Sequence, residues 1–160
     1  MGNFNEHHWG DSVSVITWTP DRWQLSFVVQ RNGRIIGVQT LEAADFKVSR
    51  TVDSSSHLIA SHRGLGFGKQ LRRAILALAF GPLTARRAIT SAWHDNHASL
   101  AVSRAVGYQI TGQTDEPADS RPGTNTMVHL ELTQAQWEQS GQSAEIHIEG
   151  FAGCTPYFGL

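Results

Sequence analysis

Three glycines within seven residues, Arg63-Gly64-Leu65-Gly66-Phe67-Gly68-Lys69, stand between a segment that reads as a strand and one that reads as an amphipathic helix. That junction places a sharp turn between a strand and a helix, because glycines let the main chain turn through conformations closed to other residues. Ahead of it, Asp53–Ala60 is predicted as a strand running into the loop. Behind it, Leu71, Ala74, Ile75 and Leu78 follow the i, i+3, i+4, i+7 spacing of one helix face over Gly68–Phe80, with Lys69, Arg72 and Arg73 assigned to another. Converging N–H groups and the positive end of a helix make such a turn an anion cradle, well matched to a diphosphate. Lys69 either adds charge there or is solvated, and the same glycines also serve plain turns. Two nucleotide patterns are excluded. No Gly-Lys-Ser/Thr ending marks a P-loop, and the glycines follow the third strand with no acidic ribose-binding residue at the proper distance.

Around this junction the chain reads as short strands and helices. β-rich runs over Trp23–Gln30 and Ile35–Leu41 flank Asn32-Gly33, a hairpin turn, and a polar stretch follows at Ala43–Arg50. Gly81-Pro82 stops the helix, Ala88–Trp93 is a strand, and Asp95-Asn96 caps a helix over Ala98–Ala105. Gly107-Tyr108 closes that helix, with strands expected at Tyr108–Thr111 and Met127–Leu132 on either side of a loop from Thr114 to Asn125. A short helix at Gln134–Ser140 and an alternating strand at Ala144–Glu149 lead into a compact Gly, Pro and aromatic tail.

A length of 160 residues suits one domain, with 1–22 a short divergent amino-terminal segment and 143–160 a carboxy-terminal strand and tail. Thirteen Lys and Arg against fourteen Asp and Glu leave a net charge of -1, so no global positive field draws the chain to nucleic acid. No apolar run approaches bilayer length, so no membrane partner is expected. Cys154 is the single cysteine and the first residues lack a secretory pattern, which points to the cytoplasm. The eight histidines are scattered apart from His7-His8 and repeat no zinc spacing, so no metal is expected.

The glycine turn gains meaning from a later segment, Asp95-Asn96-His97-Ala98-Ser99 through Ser103 to Gly107-Tyr108. Arg63, two residues, Gly66, one residue and Gly68, followed by Asn96, a short helix and Gly107-Tyr108, resemble the GNAT superfamily of N-acetyltransferases. The likeness is nearest the RimJ/RimL-like branch and its actinobacterial acetyl- and succinyltransferases. It continues through Asn32–Gln39, Val52-Asp53-Ser54 and the tail, over about residues 22–160.

The resemblance implies a mixed, mostly antiparallel central sheet with a splayed strand pair, flanked by helices, and an acetyl-CoA or succinyl-CoA donor. It makes Arg63 to Lys69 the diphosphate loop, with main-chain N–H groups from Leu65, Gly66, Gly68 and Lys69. Leu58 and Ile59 would flank the thioester, and the splayed strand would pair with the pantetheine arm as an added strand does. Asn96 and Ser99 would hold the same arm, although Asn96 also reads as a plain helix cap and Ser99 as a solvated helix residue. Acyl transfer to an amine needs a neutral amine, a polarised carbonyl and a proton for the leaving thiolate. Many members place a Tyr donor where this chain has Ser103, whose hydroxyl suits a hydrogen bond to sulfur and a proton relay. Asp53 is the first choice of base, with Asp115, Glu116, His57 and His94 behind it. Its other reading is a strand-entry residue bonded to a neighbouring loop.

One departure bears on the acceptor. The family usually opens with a strand and two helices that wall the acceptor cleft, and here 22 residues precede Trp23. The resemblance then implies an open cleft suited to a protein or peptide amino terminus, or a wall supplied by a second subunit, with a homodimer preferred. The alternatives are an aminoglycoside-type acyltransferase for small molecules and a coenzyme A-binding module without turnover.

Overall fold

The computed structural model describes residues 18–117, 125–142 and 145–160. β1 (Trp23–Arg31) and β2 (Arg34–Ala43) form the expected hairpin, turned by Asn32 and Gly33 at φ of 51° and 74°. Two left-handed residues give the turn the twist of the strands it joins. β3 (Thr51–Leu58) pairs antiparallel with β2, from Gly37 opposite Leu58 to Glu42 opposite Asp53. Gly37 is required there, because a Cβ would lie 2.3 Å from the His57 carbonyl oxygen.

After β3 come a 3-10 turn at Ala60–His62, α2 (Phe67–Phe80), β4 (Arg87–Trp93), α3 (His97–Ala105), β5 (Gln109–Asp115), β6 (Thr126–Thr133) and α4 (Gln134–Ser140). Among the described residues, six strands run in the order β1-β2-β3-β4-β6-β5, and only β3 and β4 are parallel. This is the mixed, mostly antiparallel sheet with flanking helices that the sequence resemblance implied. Val52 and Ser54 of β3, Ala88, Thr90 and Ala92 of β4, and Val128, Leu130 and Leu132 of β6 are buried on one sheet face. On the opposite face Asp53, Ser91, His129 and Glu131 are half-buried, and Ser55, His57 and Ile89 are exposed.

Several expectations are corrected. The polar stretch at 43–50 contains α1 (Phe46–Ser49), nucleated by Phe46, which is fully buried beside Trp23 at a ring distance of 5.1 Å. One apolar anchor outweighs a polar composition. The third strand starts at Thr51 and ends at Leu58, two residues earlier at each end than predicted. Arg72, assigned to a face other than the apolar stripe, is buried at 2% exposure, whereas Ala74 of the stripe is exposed and Leu71 half-buried. Leu71, Ala74, Ile75 and Leu78 instead line a groove of 720 Å³ between α2, β1 and the carboxy-terminal tail.

The expected last strand is not formed at 145–149, and 143–144 lie outside the described residues. Ile146 and Ile148 pack on the core from an irregular segment that ends in a 3-10 turn at Ala152–Phe158. Alternation marks any extended chain lying on an apolar surface, with or without strand partners. No helix among the described residues is long and apolar enough to cross a membrane.

Candidate functional site

At the glycine turn, Gly64 and Gly66 take φ of 73° and 86°, and Gly66 is the residue from which α2 starts. Among the described residues, the N–H groups of Leu65, Gly66, Phe67 and Gly68 have no main-chain acceptor. The Lys69 N–H, expected to be free, donates to the Gly66 carbonyl at 3.1 Å, so Phe67 takes its place among the open donors. Open N–H groups at a helix start form an anion site. Gly68 serves packing as well, since a Cβ there would sit 3.2 Å from Val102 of α3.

Basic side chains gather around this turn, one of them from a distant part of the sequence. Arg63 turns its Nε to the Leu58 carbonyl at 2.9 Å and closes the 58–63 bend. Arg31, at the end of β1, lies 4.8 Å over the Phe67 ring, and the His62 ring is 5.9 Å from the same phenyl. Arg31 is remote in sequence and arrives only because the hairpin carries the end of β1 past β3.

Beside the turn the sheet opens. β3 and β4 pair over three residues, Thr51–Arg87, Val52–Ala88 and Asp53–Ile89, and then diverge. In the opening, the Ser54 carbonyl accepts from Thr90 Oγ1 at 3.0 Å and the Leu58 carbonyl from Arg63. Strand peptide groups alternate sides, so the Ser56 N–H and C=O lie between these two and face the opening. Leu58 is half-buried and Ile59 exposed at the outer end.

Across the opening, Asn96 caps α3, its Oδ1 accepting from the Ser99 N–H at 3.2 Å. Asn96 is exposed and Ser99 half-buried. Ser103, on the same helix, is fully buried, and its hydroxyl has no hydrogen-bond partner among the described residues. Its carbonyl accepts from the Tyr108 N–H at 3.1 Å.

Tyr108 belongs to a buried polar cluster that sequence reasoning missed. Its hydroxyl lies 3.5 Å from Ser54 Oγ and the Arg72 guanidinium is 5.5 Å from its ring, with Arg72 Nε and Nη1 unpartnered among the described residues. Burial pushes the Tyr108 phenol above its ordinary range, against the opposing pull of the Arg72 charge and of hydrogen bonds from Ser54 and Arg72. The signal available in the sequence was an arginine one residue beyond Leu71, on a helix whose later turns are apolar throughout.

Asp53 stands at the throat of the opening on the other sheet face, opposite Glu42 of β2, with its Oδ1 accepting from the Ser54 N–H at 2.6 Å. The alternative bases are scattered. His57 is exposed farther along β3, and His94 lines a separate 440 Å³ cavity with His97 and Arg104. Asp115 Oδ1 accepts from Thr126 Oγ1 at 2.8 Å, and Glu116 Oε1 from Thr114 Oγ1 at 3.4 Å. No group of three potential metal ligands occurs among the described residues.

Among the described residues, the sheet's single parallel pair opens beside a glycine turn at a helix start, which defines a mixed α/β domain. The family model described as acetyltransferase (GNAT) domain matches residues 4–109, and the chain belongs to that family. The match begins ahead of residue 22, where the sequence resemblance was placed.

Solved structures share the fold. A probable acetyltransferase has a TM-score of 0.64 at 19% identity over 71% of this chain and 64% of its own. A spermidine N-acetyltransferase mutant from Vibrio cholerae reaches 0.66 at 16% identity over 86% and 75%. RimJ from Mycobacterium smegmatis, in complex with CoA-disulfide, reaches 0.64 at 17% identity over 74% and 61%. This chain therefore spans just under two thirds of the first and third of these.

Proposed function

We propose that the chain is an N-acyltransferase that uses acetyl-CoA and passes the acetyl group directly to a primary amine in a ternary complex. The observation that carries this reading is the opening between β3 and β4, three residue pairs from its start, beside the open N–H groups of Leu65–Gly68. In this reading the diphosphate sits on those N–H groups with Arg31 beside it, and the pantetheine arm lies along Ser54–Leu58 as an added strand. Asn96 and Ser99 border the arm from α3, and Leu58 and Ile59, expected beside the thioester, instead border the diphosphate end of the arm, which leaves the thioester at the Ser54 end of the opening. Ser103 passes a proton toward the leaving sulfur, and Asp53 orients the incoming amine. Family membership supports acetyl-CoA as donor over succinyl-CoA.

For the acceptor, RimJ among the structural neighbours supports the RimJ/RimL-like branch and a protein or peptide α-amine. A second reading is a small polyamine. The Vibrio cholerae neighbours are spermidine N-acetyltransferases, and Glu42 facing Asp53 across the strands suits a cationic acceptor. The reading extends to one cytoplasmic domain that works as a homodimer, joined along β1, the edge strand among the described residues.

Titration calorimetry with acetyl-CoA and free coenzyme A, followed by thiol release with peptides, lysine derivatives and polyamines, tests the assignment. Heat on binding with thiol release for one amine class supports it. No heat and no thermal stabilisation would sink it, and binding without thiol release from any amine would make the chain a coenzyme A-binding module.

A further inference from the structure

On the sheet face away from α2, four side chains from three neighbouring segments form a continuous hydrogen-bonded chain. Ser91 Oγ of β4 is 2.9 Å from His129 Nδ1 of β6, and His129 Nε2 is 2.9 Å from Thr114 Oγ1 of β5. Thr114 Oγ1 donates to Glu116 Oε1 at 3.4 Å. Strand register builds this, since Ser91 is directly opposite His129 and Gly112 opposite His129 on the other side.

The carboxylate at one end sets the direction of every bond. A carboxylate only accepts, so Thr114 gives its single proton to Glu116 and must accept from His129 Nε2–H. A neutral imidazole protonated at Nε2 has its lone pair at Nδ1, so Ser91 donates its hydroxyl proton there. The Ser91 oxygen is left with lone pairs for an outside donor. Ser91 is half-buried and lies two residues beyond Ile89, the last β4 residue paired with β3, so it stands on the open stretch of β4.

We propose that His129, acting through the Ser91 hydroxyl, receives the proton of the incoming ammonium group; this rests on the acyl-transfer reading above. As the ammonium gives one proton to Ser91 Oγ, the Ser91 proton passes to His129 Nδ1. The freed nitrogen lone pair attacks the thioester carbonyl, and as the C–S bond breaks, Ser103 gives its hydroxyl proton to the departing sulfur to form the thiol and takes a second nitrogen proton in return. His129 then returns its proton to water. Atoms and charge balance with no further reactant. Helices cover the Ser103 and Tyr108 side of the sheet, so amine deprotonation and sulfur protonation fall on opposite faces and do not compete for one group.

Ser91 is the residue that touches substrate, and His129 is a positioning and proton-storing residue behind it. Charged groups near the chain are Glu116 through Thr114, Asp115 held by Thr126, the Arg87–Glu131 pair at 3.5 Å farther along the same face, and Asp53 on β3.

The test compares wild type with His129→Gln, Ser91→Ala and Asp53→Asn by kcat/KM for the amine across pH 5.5–9, with acetyl-CoA binding measured alongside. His129→Gln and Ser91→Ala are expected to lower kcat/KM about 100-fold or more. His129→Gln should also remove the acid-side limb of the pH profile while leaving the affinity for acetyl-CoA within twofold. Added imidazole should restore part of the rate in His129→Ala. Should both main variants keep wild-type rates and pH profile, or should Asp53→Asn alone remove the limb, the relay is overturned while acyl transfer stands. A wild-type protein that releases no thiol with any amine would overturn both.

Discussion

Gly66 turns with φ of 86° and has open space where a Cβ would go, so strain rather than a clash governs substitution. Gly66→Ala should cost about 1–2 kcal/mol of left-handed strain. The same strain turns the N–H groups of Leu65–Gly68 away from a shared point, so calorimetry should find acetyl-CoA bound about tenfold more weakly, the equivalent of about 1.4 kcal/mol. Tyr108 offers a second residue-scale outcome. Its phenol is raised above the ordinary value of about 10 chiefly by burial, so the folded state favours the neutral form. Stability is then complete below the unfolded phenol pKa of about 10 and declines as pH rises through the folded value. Denaturant unfolding between pH 8 and 11 should show that alkaline decline in wild type and a flatter profile in Tyr108→Phe. The left-handed glycines were legible because no other residue takes that conformation freely. The burial of Arg72 was not, because a helical stripe of four apolar residues leaves open which neighbouring row faces the sheet.

Among the elements, the end of β3 depends on β2. A Cβ at Gly37 would meet the His57 carbonyl oxygen at 2.3 Å, so Gly37→Ala must push the two strands apart at the segment that borders the opening. Thermal unfolding should show a loss of about 1–3 kcal/mol, within the range for overpacked sites, and acetyl-CoA affinity should fall with it. Asn96 separates two roles of one side chain. Its Oδ1 caps α3, and Asn96→Ala should lose about 1 kcal/mol of stability. Asn96→Ser keeps a capping oxygen and loses the amide, so a fall in coenzyme A affinity at unchanged stability would mark contact with the cosubstrate. The hairpin, α2 and α3 were legible from turn chemistry, periodicity and caps. The segment at 145–149 was misread because alternation records one buried face, not the presence of a neighbouring strand.

At the scale of the whole molecule, β1 is the edge strand among the described residues, with Phe27 39% and Val28 58% exposed, and a sheet edge invites a second chain. Sedimentation of the native protein should report a dimer, and Val28→Lys, which places a charge on that edge, should shift it to monomer. Saturating acetyl-CoA at about 100 times its Kd should stabilise the fold by about 2.7 kcal/mol, and the gain should vanish in parallel with binding in Gly66→Ala. The sequence alone determined the class of sheet, the glycine turn ahead of α2 and the family resemblance. These rest on local chemistry: left-handed turns, helical periodicity and capping residues act within a few positions of one another. Only the tertiary structure decided that Arg31 reaches Phe67, that Arg72 and Tyr108 are buried together over Ser54, and that Ser91, His129, Thr114 and Glu116 join into one chain. Such contacts are set by strand order and register, and β4 lies beside β6 rather than β5. No spacing along the chain encodes which residues that order places face to face.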